Sequence, residues 1–160
     1  MFSRLIGVIF LIYATACPAE ETASTGRLTF TFGPYVHHFH EDPDHINTPW
    51  LVGVEWEPHD SRIDYGTTVF RNSFGQSSVY VYAGKRWFRD DDGQGLFVNV
   101  TGGVLYGYRG DYEDKVPFNY NGFAPAIIPG IGYQYHAFNA QLFLLGLSAL
   151  LFTFSYDYSK

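Results

Sequence analysis

The chain has 160 residues, the length of one domain. Ten Lys+Arg against sixteen Asp+Glu give a formal charge of −6, which excludes the basic stripe of a nucleic-acid binder. Hydrophobic residues make up 46%, aromatics 19% and charged residues 16%, against a usual charged share of about 25%, so the chain is too apolar for disorder; past the N-terminus no run of 18 apolar residues offers a membrane helix.

The first residues read as a targeting segment. Arg4 supplies a positive charge, Leu5–Tyr13 is an apolar run too short to span a bilayer, and small residues follow from Ala14 to Ala19. This predicts a secretory signal peptide over 1–19, cut near Ala16 or Ala19, and a single domain over 20–160. Cys17 is the only cysteine and leaves with the signal; the other reading is an acylation site, because Ala14-Thr15-Ala16-Cys17 loosely resembles a lipobox. No disulfide can form within the chain.

Alternation with period two then predicts eight strands. The first covers Arg27–Gly33 and can continue to His40. The second is Trp50–Pro58, with Trp50, Val52, Val54 and Trp56 on one face and Glu55 on the other. The third is Arg62–Asn72 and the fourth Ser78–Phe88. The fifth, Leu96–Arg109, sets Val98, Val100, Val104, Tyr106 and Tyr108 against Asn99, Thr101, Gly103, Gly107 and Arg109. The sixth is Phe123–Tyr135, the seventh Phe138–Gly146 and the eighth Ala149–Tyr158. Short polar turns join some of them, at Pro58–Ser61, Asp90–Gly95 and His136-Ala137; longer wet connections lie at His40–Thr48 and Gly110–Gly122.

Eight strands, short turns on one side and longer loops on the other predict an all-β, eight-stranded antiparallel transmembrane β-barrel of the bacterial outer membrane. A soluble lipocalin-like barrel would hide its apolar face inside, and periodicity alone does not separate the two. The signal segment, the low charge and the aromatic strand ends (Trp50, Trp56, Trp87, Tyr106, Tyr108) favour lipid. A barrel of eight strands is filled by its own side chains, which excludes a wide pore.

Three features could carry chemistry. Four of the six histidines fall in His37–His45, among Glu41, Asp42 and Asp44. They read as a solvated loop, as a catalytic histidine, or as metal ligands; the spacing matches no specific metal pattern, and no metal is assigned. Phe70-Arg71-Asn72-Ser73-Phe74-Gly75 reads as a turn, or as a serine within reach of a histidine, the minimum for an activated hydroxyl. Ala124–Gly130 holds Pro125 and Pro129, which should interrupt a strand ladder. They mark a barrel corner, or a lateral gate through which a lipid chain enters.

Taken in order, these segments resemble the PagP family, the outer-membrane lipid A palmitoyltransferases. The likeness runs through His38, Pro49-Trp50, Phe70-Arg71-Asn72-Ser73, Ala83-Gly84 ahead of Trp87, Thr101-Gly102-Gly103-Val104, and Ala124–Gly130 ending in Gly132-Tyr133. It implies transfer of an acyl chain from a phospholipid donor to lipid A of lipopolysaccharide, in the outer leaflet, by a monomer without cofactor. His38 would be the general base and Ser73 the assisting hydroxyl, with Asn72 in place of the family's aspartate. Arg71, Arg109 and Lys115 would bind lipid A phosphates, or face water at the rim.

Several departures follow from the same likeness. An amide cannot replace a carboxylate's charge, so either Glu41, Asp42 or Asp111 substitutes or the activity differs. The family's leading helix has only Glu20–Gly26 to form from. Arg86 falls where the family has a glycine at the floor of the acyl pocket, and an unpaired buried Arg there is costly. Strict alternation puts His38 on the face of Phe30 and Phe32, so a bulge at Gly33-Pro34 is needed to turn it inward. The alternatives are a non-enzymatic structural or adhesion barrel, which predicts His38 far from Ser73, and a lipid A deacylase, which needs the two in contact with an orienting acid.

Overall fold

The computed structural model describes residues 26–40, 42–46 and 49–159. The expected signal peptide, Cys17 and Glu41 lie outside the described residues. Eight strands form in chain order: β1 (Arg27–His38), β2 (Trp50–Glu57), β3 (Asp64–Arg71), β4 (Ser77–Phe88), β5 (Gly95–Tyr106), β6 (Phe123–Tyr135), β7 (Phe138–Leu145) and β8 (Ala149–Ser159). Each pairs antiparallel with its neighbour, and β8 returns to β1, so the sheet closes into a barrel. Closure leaves no edge, the condition for strands to cross hydrocarbon.

The apolar face points outward. Phe30, Phe32, Val52, Val54, Val98, Val100 and Phe154 all stand exposed on the barrel wall. Thr29, Asn99, Thr101, Gln141, Thr153 and Ser155 are buried inside. A soluble barrel has the opposite arrangement. This is an outer-membrane barrel, and the lipocalin-like alternative falls. Outward aromatics gather toward both rims: Trp56, Tyr65, Trp87, Tyr133 and Tyr156 at one, Tyr35, Trp50 and Phe123 at the other. Amphipathic rings belong at those levels of a bilayer. The first rim carries the start of β1, the end of β8 and the short turns at 58–63, 89–94 and 136–137. The second carries the connections 39–49 and 107–122 and is the outer end.

Strand bounds differ from the sequence reading by a residue or so at most ends. The first strand runs past Gly33 into its expected extension, to His38, and β5 stops at Tyr106 instead of Arg109. Gly107 has φ +141 and its N–H donates to Gly122 O at 3.1 Å, closing the base of the β5–β6 connection. A Cβ there would run into Ser78, so the close approach requires glycine.

The interior has two halves. Toward the short-turn end it is charged. Arg86 pairs with Glu55 and lies 3.7 Å from Asp64 and 3.9 Å from Asp157. Arg27 pairs with Glu57 and lies 3.5 Å from Asp64. Neutral groups extend the network: Thr29 donates to Asp157 at 2.6 Å, Gln134 to Asp157 at 2.9 Å, Tyr82 to Glu55 at 3.1 Å and Asn99 to Gln141 at 2.7 Å. Arg86 is thus buried, but it is not unpaired. Above it the inward positions turn largely apolar, with Gly33, Leu51, Phe70, Leu105, Ala124, Ile128 and Leu151, though Thr68, Ser78 and Tyr80 are buried among them.

Two stretches of wall lack a ladder partner, both at the outer end. The β1–β2 ladder stops at Gly33↔Leu51, leaving 34–38 of β1 unpaired on that side. The β6–β7 ladder starts at Gly130↔Phe143, leaving 123–129 of β6 unpaired there. The β5–β6 ladder meanwhile runs unbroken past Pro125 and Pro129 to Tyr106↔Phe123. The prolines therefore interrupt the sheet on one side only.

Candidate active site

His38 and Ser73 meet. His38 is the last residue of β1, and its parity is set by a bulge. Phe32 pairs with Phe154 and Tyr35 with Phe152, so three residue steps on β1 oppose two on β8. Before the bulge Phe30 and Phe32 face out; after it Tyr35 and His37 face out while His38 pairs with the inward Ala149. This is the bulge at Gly33-Pro34 that the likeness required.

Ser73 sits in the β3–β4 turn, and Asn72 builds that turn. Asn72 Oδ1 accepts the N–H groups of Phe74 (3.0 Å) and Gln76 (2.9 Å), and its Nδ2 donates to Ser78 Oγ at 3.1 Å. Local capture of backbone N–H groups is the usual work of Asn at a turn. The side chain is 2% exposed and is committed to the turn. With the turn so held, Ser73 Oγ lies 2.7 Å from His38 Nε2. That separation is a hydrogen bond, and either atom can donate depending on the imidazole tautomer.

The connection after β1 folds over this pair. Asp42 Oδ1 accepts the Asp44 N–H at 3.0 Å, Asp42 O accepts the His45 N–H at 3.0 Å, and the Ile46 N–H donates to Ser73 O at 2.7 Å. Lys115, at the end of the 3-10 turn Gly110–Lys115, donates to Asp42 Oδ2 at 3.0 Å. The Asp44 N–H and then Lys115 hold the Asp42 carboxyl below its ordinary range, and the bond to Asp42 raises the Lys115 ammonium. Asp42, one candidate to replace the family's aspartate, is engaged in this clasp. Asp111, another, lies exposed in the first turn of the 3-10 segment.

The three candidate cations surround the turn that carries Ser73. Arg71 Nε donates to Gly75 O at 3.3 Å. Arg109 exchanges two bonds with Gln76, its N–H donating to Oε1 and its carbonyl accepting from Nε2, each at 3.0 Å. Its guanidinium lies 5.6 Å over the Tyr106 ring. Lys115 Nζ lies 5.4 Å over the Phe74 ring. Pro125 and Pro129 flank Ile127 on the outer wall beside the β6–β7 gap, where Ile127 is 77% exposed. Among the described residues no three His, Cys, Asp or Glu side chains converge to hold a metal ion.

Sequence reasoning missed two constellations. One is a row of rings beside the dyad, with His45 tilted against Phe74 and Phe74 stacked on Tyr112; nothing in the spacing of 45, 74 and 112 foretells it. The other is the charged floor. Its signal was present: Arg27, Glu55, Glu57, Asp64, Arg86 and Asp157 all occupy polar-face positions near the short-turn ends of their strands.

No family model matches the chain, and no curated protein matches it. Among solved structures it is similar to the N-terminal β-barrel domain of Pseudomonas aeruginosa OprF, with a TM-score of 0.47 and 11% identity, over 86% of this chain and 100% of that one.

Proposed function

We propose that this barrel is an acyltransferase that moves an acyl chain from a phospholipid to lipid A in the outer leaflet. The observation that carries the reading is the 2.7 Å contact between His38 Nε2 and Ser73 Oγ at the outer rim. A histidine bonded to a hydroxyl is the unit that activates oxygen for attack on an ester. In the reaction His38, bonded to Ser73 Oγ, takes the proton of the attacking lipid A hydroxyl, and the new acyl–oxygen bond forms. The ester bond to the phospholipid glycerol breaks, and its oxygen takes the proton back. The chain ends on a lipid A hydroxyl and a lysophospholipid leaves.

Three further features support it. The inward residues of the outer half are largely apolar, suited to an acyl chain, with Thr68, Ser78 and Tyr80 among them, and rest on a charged floor unsuited to one. The two unpaired stretches of wall, on β1 and on β6, give lipid chains lateral routes to that interior. Arg71, Arg109 and Lys115 ring the Ser73 turn where phosphate groups of lipid A would lie.

One observation favours the non-enzymatic reading. Asn72, where the likeness expects an aspartate, is spent on the turn. The His38–Ser73 bond would then only fasten the end of β1 to the β3–β4 turn. Mass spectrometry of lipid A from cells with and without the protein, under outer-membrane stress, decides between them. A gain of one acyl chain that Ser73→Ala abolishes supports the transferase. Loss of a chain makes the protein a deacylase. Unchanged lipid A makes it a structural barrel.

A further inference from the structure

His45 takes no part in the chemistry above, yet it is firmly held. The Asp42 turn captures its N–H, and the next N–H in the chain, from Ile46, donates to Ser73 O at 2.7 Å. Its backbone is therefore tied to the residue that bears the candidate hydroxyl. Its imidazole lies between two rings. The His38 ring is 4.0 Å away centre to centre, at 35° between planes, and the Phe74 ring is 5.0 Å away at 60°. Phe74 is itself stacked on Tyr112 at 4.5 Å and 21°. Lys115 ties the same connection through Asp42 and lies over Phe74. Four rings thus run from the dyad to the 3-10 turn between β5 and β6.

The need for such a support follows from His38's place in the chain. It ends a strand, and the outer torsion of an imidazole is broad. One hydrogen bond to Ser73 Oγ fixes one ring atom and leaves the plane free to tilt about it. A flat ring 4.0 Å away removes that freedom, because tilting would either clash with it or forfeit the contact. We propose that His45 is a positioning residue: by packing its tilted ring against His38 it sets the plane of that imidazole and keeps Nε2 aimed at Ser73 Oγ. The catalytic consequence rests on the acyltransferase reading, and the geometric consequence does not.

Two variants of the full chain, refolded into lipid nanodiscs, test this. His45→Ala removes the packing ring and His45→Phe keeps a flat one, while both retain the backbone bond from Ile46. The first readout is the ring nitrogen NMR signals of His38 in protein labelled with 15N-histidine, assigned with His38→Gln. The wild type should show one tautomer, His45→Ala an averaged or broadened pair, and His45→Phe a return to the wild-type pattern. Unchanged His38 signals in His45→Ala overturn the proposal. The second readout is acyl transfer from phospholipid to lipid A. His45→Ala should lower kcat about tenfold or more with KM changed less than about twofold, the mark of a misaimed group, and His45→Phe should restore most of it. An equal fall in both variants overturns the positioning role. A wild type without acyl transfer removes the functional reading, and the ring signals still decide what His45 does.

Discussion

Arg86→Met is the sharpest test of what holds the barrel interior together. The Arg86 side chain is 5% exposed, and its partners Glu55, Asp64 and Asp157 are 11%, 4% and 7% exposed. With Arg27 and Glu57, the floor sets two guanidiniums against four carboxylates, a formal charge of −2. Methionine fills much of the same volume without charge, so the variant leaves one guanidinium against four carboxylates, at −3. Removing one partner of a buried pair costs about 3–5 kcal/mol, because the other charge stays buried and uncompensated. A small protein loses about 2 kcal/mol per molar urea, so the unfolding midpoint should fall by about 2 M. The assay is urea unfolding in lipid vesicles followed by tryptophan fluorescence, using Trp50, Trp56 and Trp87 on the outer face. Adding Glu55→Leu should recover part of the loss, since it withdraws a carboxylate that the first change stranded. A midpoint unchanged in Arg86→Met would refute the claim that the network stabilises the fold.

His38→Ala should lower acyl transfer by about 10²–10⁴-fold, the usual contribution of a general base, with the folded barrel's gel mobility unchanged. Asn72→Ala should destabilise the barrel by about 1–3 kcal/mol by stranding the N–H groups it captures, and activity should fall with it because the Ser73 turn loosens; urea unfolding alongside lipid A mass spectrometry checks both. Deleting Pro34 should be tolerated, because it turns three residues against two into a regular ladder and leaves His38 opposite Ala149; retained heat-modifiable mobility and retained activity are the expected results, and loss of the folded form would count against the bulge.

Much of the barrel is legible in the chain because a membrane strand alternates by necessity. Val98, Val100 and Val104 against Asn99, Thr101 and Gly103 define the body of β5, though not its end, which falls three residues short of Arg109. The place where alternation fails is equally informative: His38 lies on the wrong parity, and Gly33-Pro34 is where a bulge can correct it. The candidate site is only partly legible. Asn72 reads as the stand-in for an acid, but in space its amide has no freedom to serve the imidazole, because the turn needs it. Arg86 reads as a liability at the floor of a pocket and is instead the centre of an ion network. Asp42 reads as a loop acid and is a clasp with Lys115.

The sequence by itself determined the two faces of each strand, since that depends only on a period of two, and the structure decided that the apolar face is the outer one. It also determined that the chain closes with eight strands and that its histidine-rich connection lies at the end away from the short turns. The tertiary structure alone decided what meets across the barrel. His38 is 35 positions from Ser73, and Arg86 is 31 from Glu55 and 71 from Asp157. Contacts at such separations depend on the stagger between neighbouring strands, which backbone hydrogen bonds set collectively around the closed sheet. A local pattern of residues carries the faces of each strand, and only closure fixes which residues share a level inside.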